Sequence, residues 1–136
     1  MVEMKGTYVG EKHCELTHGP SGSTLETDAP KDNAGRGEKF SPTDLLGASL
    51  LSCILTTMDI IAEREGLGSL KGASGRVSKE MASNPRRVIK LPIEIEMPSG
   101  IRKDHRARLE EIAQSCPVKK SLSPEIETPI RFVYPD

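Results

Sequence analysis

The sequence predicts an α+β protein, in which strands and helices occupy separate stretches of the chain. Residues 2–29 carry short stretches rich in β-formers, residues 41–65 form a long apolar run with a helix start, and residues 88–97 alternate between apolar and acidic side chains. The predicted order is three strands, one helix, two strands, two helices and a final strand. Such a segregated order is typical of α+β folds rather than of parallel α/β folds.

The first 40 residues predict three short strands and a loop. The stretches "MKGTYVG" and "HCELTHG" contain β-formers or alternate, and "SGSTLETDAP" follows the turn "GPSG". The following segment "KDNAGRGEKF" is polar, contains glycine and has no periodicity. We therefore expect residues 31–40 to form a loop.

A helix is predicted from Ser41 to about residue 65. Ser41 is a candidate N-cap, Pro42 suits the first helical position, and Asp44 completes a capping box three residues after the cap. Gly66 is placed to end the helix. Apolar side chains cover most of the circumference of this helix, so we expect a partner subunit to cover one side of it.

The remaining elements follow from local patterns. Residues 69–81 and 88–97 predict strands joined by the turn "ASNPRR", and Pro92 indicates an edge strand or a bulge. The stretch "RKDHRARLEEIAQS" predicts an amphipathic helix, and "VKKSL" predicts a short helix after it. The stretch "ETPIRFVY" predicts the closing strand.

Composition excludes several classes of protein. A chain of 136 residues fits a single domain, which we expect to span residues 1–136. The 19 basic residues nearly balance the 20 acidic ones, and no basic stripe is present, which argues against nucleic acid as a partner. The N-terminus lacks the pattern of a signal peptide, and Ser, Thr and Asp interrupt the longest apolar run, which argues against a membrane span. Three cysteines fit a reducing compartment, so we expect a cytoplasmic protein.

Cys116 is the cysteine with the most informative neighbours. Pro117 disfavours helical backbone at Cys116 and suits the first helical position, so Cys116 is predicted to be an N-cap. The helix dipole and the nearby Lys119 and Lys120 then favour a thiolate. The alternative, a small buried hydrophobic residue at the end of an amphipathic helix, is equally compatible with the pattern.

Cys53 and Cys14 are less informative when each is considered alone. Cys53 lies in the apolar helix among Ser and Thr residues, whose hydroxyls either face the thiol or bond back to the helix. Cys14 lies between His13 and Glu15, but adjacent strand residues point to opposite faces of a sheet. The common zinc spacings are absent, so we expect no metal site and no cofactor.

Three stretches together resemble a known family. The sequence "FSPTDLLGASLLSC", then "IAERE", then "LEEIAQSCPVKKSL" is similar to the OsmC/Ohr family, the osmotically inducible and organic hydroperoxide resistance proteins. The resemblance covers roughly residues 36–134 and indicates the OsmC-like branch. It implies antiparallel sheets around long central helices in an intertwined homodimer, with active sites at the subunit boundary.

The resemblance also implies chemistry and roles. It implies that Cys53 attacks an organic hydroperoxide, that Cys116 resolves the resulting sulfenic acid as a disulfide, and that a dithiol of the lipoyl or thioredoxin type reduces this disulfide. Because this makes Cys53 the nucleophile whereas the N-cap argument makes Cys116 the more acidic thiol, we assign the roles by the resemblance. The alternative is a non-catalytic dimer of the same fold that binds a hydrophobic small molecule or an electrophile. A structural dimer with two buried cysteines is a third reading.

The sequence departs from the family pattern at one position. Peroxidases of the family carry a Glu ten residues before the first cysteine, paired with an activating Arg, and Thr43 stands at that position here. The neighbouring Asp44 projects about 180° away from Cys53 along a straight helix. Arg36, in the predicted loop, is the best candidate for the activating residue.

Overall fold

The computed structural model describes all of residues 1–136, which divide into two compact units, residues 1–46 and residues 47–136. The boundary falls within the first helix, and the prediction of a single domain remains a prediction. The strands are β1 Met4–Gly10, β2 His13–His18, β3 Thr24–Asp28, β4 Ser74–Val77, β5 Glu80–Ala82, β6 Arg87–Lys90, β7 Ile93–Glu96 and β8 Ile130–Val133. The helices are α1 Pro42–Glu65, α2 Arg106–Ala113 and α3 Pro117–Ser121, with short 3-10 turns at Lys31–Asn33 and Lys103–His105.

The first unit contains the three predicted strands in one antiparallel sheet, in the order β1, β2, β3. The chain reverses between β1 and β2 through Gly10, Glu11 and Lys12, all of which have positive φ. In the second reversal, the backbone N–H of Gly22 donates to the carbonyl of His18 at 2.8 Å. The register places His13 opposite Asp28 and Glu15 opposite Glu26, which brings four polar side chains to one face of the sheet.

Helix α1 begins and ends where the sequence predicts. The capping box is present, because the backbone N–H of Asp44 donates to Ser41 Oγ at 3.0 Å and the backbone N–H of Ser41 donates to Asp44 Oδ2 at 2.9 Å. Gly66, with φ of 67°, follows the last helical residue. One stripe of the helix is buried in the core and is formed by Gly47, Leu50, Ile54, Met58 and Ala62.

The interruptions of the apolar run do not take it below the length and hydropathy that a membrane span requires. Helix α1, with 24 residues, is long and apolar enough to cross a membrane by length and composition, because its interruptions are mostly Ser, Thr and Gly rather than charged residues. Core helices of soluble proteins meet the same criterion. Only 28% of its most apolar stretch is buried within the chain.

The second unit contains a three-stranded sheet in the order β4, β7, β8 and a separate two-stranded hairpin of β5 and β6. Strand β4 is antiparallel to β7, whereas β8 is parallel to β7. The expected antiparallel pairing is confirmed for every strand pair except β7 and β8, which are parallel because the chain crosses over through α2 and α3 before it returns to β7.

The predicted strands over residues 69–81 and 88–97 are each interrupted. Residues 69–73 lie outside any strand, and residues 78–79 separate β4 from β5. Pro92 lies between β6 and β7, where it cannot donate a ladder hydrogen bond. Its carbonyl instead accepts from the backbone N–H of Ser78 at 3.0 Å. The alternation around Ile93 and Ile95 is confirmed, because both side chains are buried.

Candidate active site

Cys53 and Cys116 are brought together by α1 and by the start of α3. Cys53 lies about one turn of α1 after the buried Leu50 and is partly buried. Cys116 is fully buried in the core. Both residues are free thiols, and they are close enough for Cys53 to influence the pKa of Cys116. The structure therefore places side by side the two cysteines that the sequence separates by more than 60 residues.

The prediction that Cys116 caps a helix is confirmed. Its backbone is extended, with φ of −66° and ψ of 141°, and Pro117 occupies the first helical position. The backbone N–H of Lys119 donates to Cys116 Sγ at 3.2 Å. One unpaired N–H at the start of α3 is thus satisfied by sulfur.

The prediction that Cys116 is an acidic thiol is wrong. Burial raises the pKa of the Cys116 thiol, and the hydrogen bond from the N–H of Lys119 opposes this effect without cancelling it. The adjacent Cys53 sulfur raises the pKa of Cys116 further, because a negative charge there disfavours a second one. Burial is the largest of these effects on the pKa of Cys116, and the residues around the start of α3 do not predict that burial. The sequence left open whether Cys116 is a helix cap or a small core residue, and in the structure it is both.

The hydroxyls around Cys53 have two different functions. Thr57 Oγ1 lies 3.8 Å from Cys53 Sγ, within hydrogen-bonding distance for sulfur. Thr56 Oγ1 donates instead to the carbonyl of Ser52 at 3.0 Å and to that of Cys53 at 3.2 Å. Of these two threonines, only Thr57 therefore presents its hydroxyl to the thiol.

The ammonium group of Lys119 bonds to Thr128 rather than to the cysteines. Lys119 Nζ donates to Thr128 Oγ1 at 2.7 Å and to the Thr128 carbonyl at 3.4 Å. These bonds tie the start of α3 to the segment before β8. The contact of Lys119 with the Cys116 sulfur is made by its backbone.

Arg36 lies in the first unit, where it faces acidic side chains. Its guanidinium nitrogens are 3.8 Å from Asp28 Oδ1 and 3.5 Å from Glu11 Oε2. Asp44 is engaged in the capping box of α1, as predicted. The role of Arg36 in activating a thiolate remains a prediction.

A second group of polar side chains lies on β2 and β3. His13 Nδ1 is 2.6 Å from Asp28 Oδ1, and His13 Nε2 is 3.0 Å from Glu26 Oε1. The hydrogen bonds to Asp28 and then to Glu26 raise the pKa of His13, and the same bonds lower the pKa of both carboxyls. Both partners of His13 lie on the next strand, so the residues beside it in the sequence, Cys14 and Glu15, do not reveal them.

Comparison with known proteins agrees with this fold. The sequence model of the OsmC-like protein family matches residues 35–131. No curated protein matches the chain. A solved structure from Psychrobacter arcticus, provisionally described as an osmotic stress induced and detoxification response protein, is 38% identical, with a TM-score of 0.91, and the match covers 98% of this chain and 96% of that one.

More distant structures share the fold. An organic hydroperoxide resistance protein OsmC from Legionella pneumophila is 18% identical, with a TM-score of 0.73, over 97% of this chain and 96% of that one. An organic hydroperoxide resistance protein from Elizabethkingia anophelis is 14% identical, with a TM-score of 0.73, over 98% and 96% of the two chains. The match of the family model over most of the chain, joined to the 38% identity of the Psychrobacter structure, shows that this chain is a member of the OsmC-like protein family.

Proposed function

We propose that this chain is a cysteine-based peroxidase that reduces organic hydroperoxides with Cys53 and Cys116. The observation that carries the proposal is the pairing of two free thiols that differ in exposure. The partly exposed Cys53 is accessible to a substrate, and the raised pKa of the buried Cys116 keeps it protonated until it reacts with oxidised Cys53. This difference in exposure supports Cys53 as the nucleophile and Cys116 as the resolving residue.

In the first step, the Cys53 thiolate attacks the terminal oxygen of the hydroperoxide. An S–O bond forms and the O–O bond breaks, so that sulfur loses two electrons to the peroxide and becomes a sulfenic acid. The departing alkoxide takes up a proton and leaves as the alcohol. The Thr57 hydroxyl, 3.8 Å from Cys53 Sγ, is placed to donate to the thiolate before the attack.

In the second step, the Cys116 sulfur attacks the Cys53 sulfenic acid. An S–S bond forms, the S–OH bond breaks, and the hydroxide leaves as water with the Cys116 proton. An external dithiol of the lipoyl or thioredoxin type then reduces the disulfide by exchange at Cys53. The backbone N–H of Lys119, 3.2 Å from Cys116 Sγ, stabilises the thiolate that leaves in this exchange.

The proposed substrate class rests on the apolar character of α1, the helix that carries Cys53. Leu51 and Leu55, each two residues from Cys53 in the sequence, are partly buried apolar residues packed against the core. An apolar alkyl or aryl hydroperoxide fits such an apolar surface better than hydrogen peroxide does. We also propose that the protein is a cytoplasmic homodimer, that Arg36 assists the Cys53 thiolate, and that neither nucleic acid nor a membrane is a partner.

A binding function without turnover is the second candidate. Thr43 stands where peroxidases of the family carry a Glu, so this chain lacks that acid at that position. The same apolar surface would then hold a hydrophobic small molecule or an electrophile. A structural dimer with two inert cysteines is the third candidate.

Thiol titration before and after one equivalent of cumene hydroperoxide separates these functions. The peroxidase should lose two thiols, and dithiothreitol should restore both. A binding or structural protein should lose none. Irreversible oxidation of a single cysteine would contradict the two-cysteine cycle.

Two serine variants test the assigned roles. Cys53→Ser should abolish peroxide consumption, whereas Cys116→Ser should consume one equivalent and then stop as a sulfenic acid that is open to overoxidation. Mass spectrometry of the Cys53 peptide measures this directly. Peroxide consumption by Cys53→Ser at the rate of the unchanged protein would contradict the assignment of the nucleophile.

A further inference from the structure

The face of the sheet that carries His13 holds a compact array of ligand atoms. His13 and Glu15 are two residues apart on β2 and therefore share a face, and the register places Asp28 and Glu26 directly opposite them on β3. One ligand atom each from His13, Glu15 and Glu26 lies within 4.8 Å of the others. The array belongs entirely to the first unit, whereas Cys53 and Cys116 belong to the second.

The imidazole of His13 is held in a fixed orientation by a buried carboxylate. Asp28 is only 1% exposed, and its Oδ2 accepts from the backbone N–H groups of Glu38 at 3.2 Å and Lys39 at 3.1 Å. Its Oδ1 lies 2.6 Å from His13 Nδ1. Since Asp28 accepts from Nδ1–H, Nε2 is the ring nitrogen directed at Glu26. A carboxylate behind the distal nitrogen of a histidine is the usual support of a metal-binding imidazole.

The two glutamates face each other in an arrangement that favours a cation between them. Glu15 and Glu26 are directly paired across the ladder, where like charges are destabilising. The lysine near this pair, Lys39, lies 3.6 Å from Glu26 Oε2, whereas Glu26 Oε1 faces His13 Nε2 at 3.0 Å. Arg36 faces Asp28 and Glu11. A cation bound by His13 Nε2, Glu26 Oε1 and the Glu15 carboxylate would take the place of the proton in the His13–Glu26 hydrogen bond and would relieve the repulsion between the two glutamates.

We propose that His13 Nε2, Glu15 and Glu26 form a binding site for a divalent transition-metal cation of the zinc type, with Asp28 orienting His13 from behind. Ligand atoms about 2.1 Å from a tetrahedral ion lie about 3.4 Å apart, so the array needs only small side-chain adjustments. Both glutamates are exposed and flexible enough to make them. The fourth position is open to water. One imidazole and two carboxylates select zinc-like ions over magnesium and calcium, which prefer oxygen ligands alone.

Glu15 distinguishes this site from a hydrogen-bonded cluster without a metal. A triad of Asp28, His13 and Glu26 would satisfy both ring nitrogens of His13, and it makes no use of Glu15. A metal site needs Glu15 as its third protein ligand. Removal of the Glu15 charge therefore changes metal affinity but leaves the triad intact.

Isothermal titration with Zn²⁺ tests the proposal on the full chain. Because thiolates also bind zinc, the titration is made on the Cys14→Ser, Cys53→Ser, Cys116→Ser variant beside the unchanged protein. We expect the triple variant to bind one Zn²⁺ per chain and no Mg²⁺. In the same background, Glu15→Gln should lower the affinity for Zn²⁺ at least about tenfold, as loss of a metal-site partner typically does.

Matched variants and spectroscopy complete the design. His13→Gln should remove binding, and His18→Gln, at the exposed end of the same strand, should leave it unchanged. X-ray absorption of the bound zinc should show nitrogen and oxygen neighbours at about 2.0–2.1 Å and no sulfur at about 2.3 Å. Unchanged affinity in Glu15→Gln with a native circular dichroism spectrum would overturn the proposal. Absence of binding in a natively folded triple variant would overturn it as well. Any zinc bound by the unchanged protein would then be held by its thiols.

Discussion

Cys53 and Cys116 are the same type of side chain in two different environments. Cys116 is fully buried, and its pKa is raised by that burial, whereas Cys53 is partly exposed on α1 beside Thr57. A nucleophile must meet a substrate, and a resolving thiol must only meet its partner. The environments therefore favour the roles that we propose for each residue.

The hydroxyl of Thr57 gives a first prediction at this scale. Thr57→Val keeps the shape of the side chain and removes the donor 3.8 Å from Cys53 Sγ. Loss of one hydrogen bond of about 1 kcal/mol should slow the reaction of Cys53 with cumene hydroperoxide about fivefold. Stopped-flow measurement of the single-turnover rate tests this.

Thr56→Val is the matched control for this variant. Its hydroxyl bonds to the carbonyls of Ser52 and Cys53 rather than to the sulfur. It should leave the rate of the single turnover unchanged. Equal rates in the two variants would show that the Thr57 hydroxyl does not assist Cys53.

The raised pKa of Cys116 gives a prediction about stability and pH. The ordinary value is 9.0, and burial raises the pKa of this thiol in the folded protein. Folding therefore favours the protonated form, and this contribution to stability is fully present below about pH 9 and is lost as the pH rises through the folded value. The free energy of unfolding should fall more steeply above pH 9 in the unchanged protein than in Cys116→Ser.

Urea unfolding at pH 8 and at pH 10 measures this difference. Other groups titrate over the same range in both proteins, so the comparison isolates Cys116. Cys14→Ser is the control and should follow the unchanged protein. Parallel loss of stability in Cys116→Ser and the unchanged protein would contradict the raised pKa.

At the scale of secondary structure, local signals predict local structure well. The capping box of Ser41 and Asp44, the end of α1 before Gly66 and the N-cap at Cys116 were all predicted, because each depends on residues within one turn. The parallel pairing of β8 with β7 was not predicted, because it joins segments that are distant in the chain. The break at Pro92 is local, because proline cannot donate a ladder hydrogen bond, whereas the sequence pattern did not predict that residues 69–73 lie outside any strand.

The same distinction applies to the candidate sites. The pairing of Cys53 with Cys116 followed from a family resemblance and could not be read from either helix alone. The contacts of His13 with Asp28 and Glu26 were missed, because they depend on the register of two strands. Burial of Cys116 also depends on distant parts of the chain. It raises the pKa of this thiol, whereas the local sequence predicted a lowered one.

The capping box gives a prediction at the scale of one helix. Ser41 is buried, and its Oγ accepts from the backbone N–H of Asp44 at 3.0 Å. Ser41→Ala should lower the free energy of unfolding by about 1 kcal/mol, since an N-cap is lost. Ser52→Ala, at an exposed position within α1, should cause no loss because alanine favours helix. Equal stability of the two variants in urea would contradict the capping role of Ser41.

At the scale of the whole molecule, α1 presents apolar side chains that one chain leaves uncovered. Ile60 is 52% exposed and Leu46 is 36% exposed, and only 28% of the most apolar stretch of the helix is buried. Leu55 and Ile60 also line an open groove of about 440 Å³ with Leu70 and Ala73. Leaving four such side chains in water would forgo roughly 6–12 kcal/mol, comparable to the stability of a domain.

We therefore predict a homodimer in which a second copy of the chain covers α1. Sedimentation equilibrium at micromolar concentration should give twice the monomer mass of 14.8 kDa. Ile60→Lys should weaken the dimer, whereas Glu63→Lys, exposed on the same helix, should not. A folded species at the monomer mass would contradict the dimer. A chain that stays in solution only with detergent would instead indicate that α1 enters a membrane.

The parallel pairing of β8 with β7 also has a consequence for the order in which the protein matures. During synthesis Cys53 leaves the ribosome long before Cys116, and Cys116 lies in the connection whose far end is fixed only when β8 docks on β7. Until Cys116 is synthesised and packed, Cys53 lacks the thiol that lies beside it in the folded protein. In the proposed mechanism, a peroxide that reached the nascent chain would leave a sulfenic acid with no second cysteine to condense with, open to irreversible oxidation. In the proposed mechanism, the docking of β8 on β7 therefore completes the pair of thiols that makes the oxidation of Cys53 reversible.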